Sequence, residues 1–219
     1  MDQRPLPPHL TQIYNNVCNF IRDNEGVANQ ASPWFLGRAV FHGSAKKTKG
    51  FGVELAGVNC LTQHAEDLAF FAKQADFNQQ ETSFLVGAAK LKDDAAEQYL
   101  AAQNPRFSVS YEKAEKLFKA ALVPKVTQAE DEVNKYLGQN YKDGFPTLFI
   151  ALPTDILTVL IDSKFLIGNL GQYADLLINY SSDRRLRMDL IKHFKDAIKF
   201  DNASKERTTR KIELLEGHL

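Results

Sequence analysis

Between Phe145 and Ile161 the chain is apolar nearly all round, and no other stretch constrains the fold as much. A helix with one apolar stripe needs a partner on one side, whereas a segment apolar on every side must be surrounded. Pro153 and Asp155 interrupt the run, and it is short for a bilayer span of about 20 residues. It therefore reads as the central buried helix of a globular core. With 219 residues, 44% of them hydrophobic, the chain can bury one sizeable domain.

Helical patterns account for most of what surrounds this run. Thr62 is placed to cap a helix to about Ala75, with Ala65, Leu68, Ala69 and Ala72 on one face. A second helix spans Glu81 to Lys90, and Asp94 with Glu97 has capping-box spacing. Ser108 or Ser110 caps a longer helix through Ala114, Leu117, Phe118, Ala121 and Leu122. Pro124 is expected to kink or break it before it resumes to Leu137. Further helices are read at Gln172–Ile178, Arg184–Phe200 and Ser204–Leu215. On the last, Arg207, Arg210 and Glu213 stand three residues apart, and the pattern reads as a salt-bridged, solvated face.

The N-terminal part reads differently. From about His9, apolar residues fall at Leu10, Ile13, Tyr14, Val17, Phe20 and Ile21, the steps of three and four of an amphipathic helix. Gly26 is a natural stop. Glu25 lies one turn past Ile21, so it extends the inward face at the helix end. Burial and the negative end of the helix dipole both disfavour a carboxylate there, which suits a general acid. An exposed residue at a frayed end is the other reading of the same position. Ser32–Gly43 then reads as one strand and Gly50–Gly57 as a second, with a small basic loop between them. Gly50-Phe51-Gly52 lacks the third glycine and the following helix of a dinucleotide-binding loop. The resulting fold class is α+β, mainly α: one domain over 1–219, with a leader at 1–8, a helix and β lobe at 9–60 and a helical lobe at 61–219.

This order of parts resembles the phage-type lysozyme superfamily, and most of all the pesticin-like muramidase domains. The residues that carry the likeness are a helix ending in Glu25-Gly26, the segment Thr48-Lys49-Gly50-Phe51-Gly52-Val53-Glu54-Leu55, the run Leu85-Val86-Gly87-Ala88-Ala89, and the terminal Arg207-Thr208-Thr209-Arg210-Lys211-Ile212-Glu213. The resemblance implies a lysozyme-like fold and hydrolysis of the peptidoglycan glycan strand by acid and base catalysis, with no metal or cofactor. It implies Glu25 as the acid, Glu54 as the base that positions water, and Thr48 as the holder of that water or of substrate. Glu54 stands where the family carries Asp. Trp34, Phe51 and Gly52 are candidates for contact with the sugar rings, core packing being the other role open to the two aromatic residues. A peptidoglycan-binding or inhibitory relative without hydrolysis, and a helical structural protein with no link to glycan, are the competing readings.

Charge and cysteine usage bound the partners. Lys and Arg number 27 and Asp and Glu number 27, so no whole-protein field draws in nucleic acid or anionic lipid. Cys18 and Cys60 read either as two buried thiols or as one disulfide, and no Cys-x-x-Cys zinc spacing exists. The start, Met1-Asp2-Gln3-Arg4-Pro5-Leu6-Pro7-Pro8, lacks the apolar core of a signal peptide. The expectation is a monomer made in the bacterial cytoplasm and acting in the periplasm or cell wall of a target cell. No stable membrane insertion is expected, and the resemblance adds an immunity protein as a possible partner.

Overall fold

The structure is a computed structural model, and it describes residues 5–24, 39–41, 53–55, 58–60, 65–91, 110–139, 148–200 and 205–219, with a few positions between 95 and 102. Eight helices lie among the described residues: α1 (Thr11–Asn24), α2 (Ala65–Gln74), α3 (Gln79–Ala89), α4 (Tyr111–Leu137), α5 (Thr154–Ile167), α6 (Ala174–Ile178), α7 (Asp183–Phe200) and α8 (Lys205–Glu216). The chain divides into two compact units. One takes in Ile21–Leu122; the other takes in Gln3–Phe20 with Val123–Leu219.

The α+β expectation is corrected. The described chain is overwhelmingly helical, and no β lobe is seen in it. Among the described residues between 39 and 60, pairing involves three segments of three residues, β1 (Ala39–Phe41), β2 (Val53–Leu55) and β3 (Val58–Cys60). They run antiparallel in the order β1-β2-β3, with Val40 opposite Glu54 and Glu54 opposite Asn59. The physical reason lies in the glycines. Three of the eight residues expected to form the second strand, Gly50, Gly52 and Gly57, are glycines, and glycine weakens a strand interior. Segments this short fall below the usual strand length of about 5–6 residues.

In the first unit α2 and α3 pack together, burying Leu68, Phe71, Ala72, Phe84 and Leu85. The turn between them is built by Asp76, whose φ of 59° is the left-handed conformation that ends many helices. Phe77 N–H reaches back to the Ala72 carbonyl at 3.0 Å. α3 starts two residues before the expected Glu81, because Asn78 and Glu81 form a reciprocal capping box with bonds of 2.7 and 2.9 Å. At the start of α4 Ser110 accepts the Lys113 N–H at 3.2 Å, as a capping serine does.

α4 passes through Pro124 without stopping, which corrects the expected break. Proline there denies the Ala120 carbonyl its usual donor. The helix is flanked at that point by buried apolar residues, Leu122 and Val126, and the buried Thr127 hydroxyl donates to the Pro124 carbonyl at 3.2 Å. Packing outweighs one missing backbone bond.

The second unit is organised around α5. From Asp155 to Lys164 every residue of α5 is buried. The central helix is thus where the apolar run placed it, but with different bounds. Phe149–Ala151 is a separate 3₁₀ turn, and the helix begins only after Pro153 and runs on to Ile167. Residues 145–147 lie outside the described residues. Proline has no N–H and disfavours helix in the residue before it, so the run is cut there. Gly168, with φ 85°, ends α5 by donating its N–H to the Lys164 carbonyl at 2.9 Å. α7 and α8 pack on each other, and α8 packs on α5. Two side chains of α4 hold the borders of α5. Asn134 accepts the Phe149 N–H and Glu132 accepts the Leu170 N–H, each at 2.7 Å.

Candidate functional site

Three charged residues sit on the buried helix α5, and each is answered from another helix of the same unit. Near the start, Arg187 of α7 donates twice to Asp155, at 2.6 and 3.0 Å, in the forked geometry that suits a carboxylate. Two turns on, Asp162 is fully buried and takes Arg207 and Lys211 of α8, the latter at 2.9 Å. Near the end, Lys164 pairs with Glu132 of α4. An unpaired charge in such a place would forfeit its hydration with nothing in return, which is why each has a partner.

Arg207 therefore does not belong to a solvated face, as the three-residue spacing suggested. Arg210 and Glu213 do: Arg210 pairs with exposed Glu206 at 2.7 Å, and Glu213 is exposed. The sequence signal that was missed is Lys211. It lies four residues after Arg207, so both cations point at one carboxylate.

Around Asp162 the geometry superficially matches a Ser–Lys nucleophile pair. Lys211 Nζ donates to Ser163 Oγ at 2.9 Å, and Tyr173 donates to the same oxygen at 3.0 Å. Burial depresses the Lys211 pKa, against the pull of Asp162, and pushes the Tyr173 hydroxyl up to about 12. Yet Ser163 is 0% exposed, and its own proton is given to the Val159 carbonyl at 2.7 Å. No substrate atom can reach that oxygen, so the cluster is a structural lock on α5 and α8.

A reachable cavity among the described residues lies at the other end of α5. About 470 Å³ in volume, it is lined by Asn16, Phe20, Thr158, Arg187, Leu214 and His218, with Pro153, Thr154 and Asp155 at the helix start. Its volume falls within the range of about 300–1,000 Å³ usual for small-molecule pockets. Thr158 donates to the Thr154 carbonyl at 2.7 Å, which leaves its oxygen free to accept. Arg187, which lines the cavity, has five N–H groups and gives two of them to Asp155, so three remain.

Of the residues expected from sequence to carry chemistry, Glu54 alone lies among the described residues. Glu25, Trp34, Thr48, Phe51 and Gly52 lie outside the described residues. Glu54 is the middle residue of β2, and its backbone pairs with both neighbouring segments. Cys18 is buried in α1, and Cys60 ends β3. Among the described residues no group of three or more His, Cys, Asp or Glu is arranged to hold a metal ion, and no helix is long and apolar enough to cross a membrane. Comparison with family models, with curated proteins and with solved structures gives no match.

Proposed function

We propose that this chain is a muramidase that hydrolyses the peptidoglycan glycan strand. Glu25 protonates the leaving oxygen, Glu54 activates water, and Thr48 holds that water or the substrate. Trp34, Phe51 and Gly52 contact the sugar rings. The observation that carries the reading is the buried stripe of α1. Leu10, Val17 and Ile21 are 0% exposed and Ile13 is 7% exposed, so the inward face of the helix is defined. One more step of four residues from Ile21 falls on Glu25, directly after the last helical residue, Asn24. A carboxylic acid continuing that face has reason to keep its proton near neutrality. The intervals between Glu25, Thr48 and Glu54, 23 and 6 residues, support the same assignment through the family resemblance.

Two carboxyl groups are what glycoside cleavage requires. The bond broken is the β-1,4 link from MurNAc to GlcNAc, in the wall of a target cell, and a cognate immunity protein would block it. Glu54 in place of the family's Asp favours a second reading, a wall-binding relative without hydrolysis. Glu25→Gln, assayed by turbidity loss and muropeptide release on purified peptidoglycan, separates the two. Loss of release in the variant supports the muramidase. Wild-type binding to walls without any release supports the second reading, and release that survives in Glu25→Gln removes the assignment of the acid.

A further inference from the structure

We infer that the cavity at the start of α5 is a binding site for a neutral saccharide. Charge is the first argument. Arg187 and Asp155 neutralise each other at the cavity floor, and Asp155 in the first turn of α5 answers the positive end of the helix dipole. Apart from the His218 imidazole, the lining holds no cation without a carboxylate partner, and the one carboxylate is already engaged. The lining is the second argument. Phe20, Pro153 and Leu214 give apolar surface, while Asn16, Thr154, Thr158 and His218 give short polar groups around it. A purely apolar ligand would strand those groups without partners.

A pyranose meets both demands. Its ring C–H bonds can lie against the half-buried face of Phe20, whose π-cloud is the negative face of the ring. Its hydroxyls donate and accept at once. That suits an Asn amide, the accepting oxygen of Thr158 and the remaining N–H groups of Arg187. Asp155 and Arg187 together present an acceptor and donors side by side, the arrangement that two neighbouring hydroxyls can bridge. All the lining residues belong to the second unit, so the site does not depend on the catalytic assignment.

The test uses the full chain, isotope-labelled, carrying Glu25→Gln so that no probe is hydrolysed. Chitotriose serves as the neutral saccharide and inorganic phosphate as the anion. Chitotriose is expected to shift the amide or side-chain signals of Asn16, Thr158, Arg187 and His218 with a Kd of about 1 mM or tighter. Replacing Asn16→Ala and His218→Ala together, both outside the core, should weaken it by about tenfold. Shifts with phosphate but not with chitotriose, or chitotriose shifts confined to other residues, would overturn the inference, as would no shift at all. Wild-type assays keep the two proposals apart. Shifts at this cavity without muropeptide release refute the muramidase alone, and release without these shifts refutes the saccharide site alone.

Discussion

Arg207 donates its Nε–H to both oxygens of Asp162, at 3.1 and 3.2 Å, although 45 residues separate them and the carboxylate is shut off from solvent. With Lys211 on the same carboxylate, two cations depend on one anion. Asp162→Ala leaves both inside the protein without it. Breaking a buried pair from one side typically costs about 3–5 kcal/mol. Urea unfolding should show a loss of that size, and a loss within about 1 kcal/mol would mean that the cluster relaxes into water.

Gly87 leaves room for one hydroxyl. A Cβ at that position would stand 2.5 Å from the Tyr99 oxygen, and the Tyr99 ring is stacked on Phe84 with centroids 5.4 Å apart. Gly87→Ala should therefore destabilise the first unit by about 1–3 kcal/mol despite alanine's better helix propensity. Adding Tyr99→Phe removes the colliding oxygen and should recover part of that loss. A thermal shift series of the two single variants and the double variant checks the coupling.

Acid should weaken the second unit through His193. Its imidazole packs against Tyr173 and Phe194, with ring centroids 5.1 and 5.9 Å away. Burial lowers its pKa, Lys211 adds to the effect and Asp196 opposes it. The unfolded chain then binds the proton more readily than the folded one. Stability is complete above the ordinary histidine pKa of about 6.5 and falls as pH drops below it. The wild-type melting temperature should drop further between pH 7.5 and 5.5 than that of His193→Gln, and equal slopes would exclude His193 as the source.

Glu54→Asp restores the residue of the pesticin-like pattern. On the muramidase reading, muropeptide release should be kept or raised by Glu54→Asp. It should fall by about 100-fold or more in Glu54→Gln, since loss of a general base typically costs about 10²–10⁴. Equal release in both variants would remove Glu54 from the mechanism.

How much of this was legible depended on where each residue's partner lay. The stripe of α1 could be read because its period is local, and the same holds for the buried character of α5. The start of α5 was blurred because a hydrophobic run does not show whether Pro153 lies inside or ahead of the helix. Pro124 misled in the opposite sense, since propensity is overridden where a helix is held by buried neighbours. Arg207 was misread because its anion, Asp162, is remote in sequence. The β lobe is over-read from sequence because turn residues and strand formers mark candidate strands without showing how much of a segment pairs. Of the proposed catalytic trio, only the spacing was available in the chain. The cavity at the start of α5 left no sequence signal, because it gathers residues from Asn16 to His218.

Asn134 and Glu132 hold the amides of Phe149 and Leu170 with side chains rather than with backbone carbonyls. The segments flanking the central helix are thus held from α4 by side chains two residues apart, although the amides they hold lie 15 and 38 residues downstream. Deuterium uptake at those two amides would report on side chains of another helix. A drift to alanine at either position would let one end of α5 fray while its middle stayed protected. Pro153 and Gly168 set where α5 begins and ends, and these two anchors tie down the segments that lead into it and out of it.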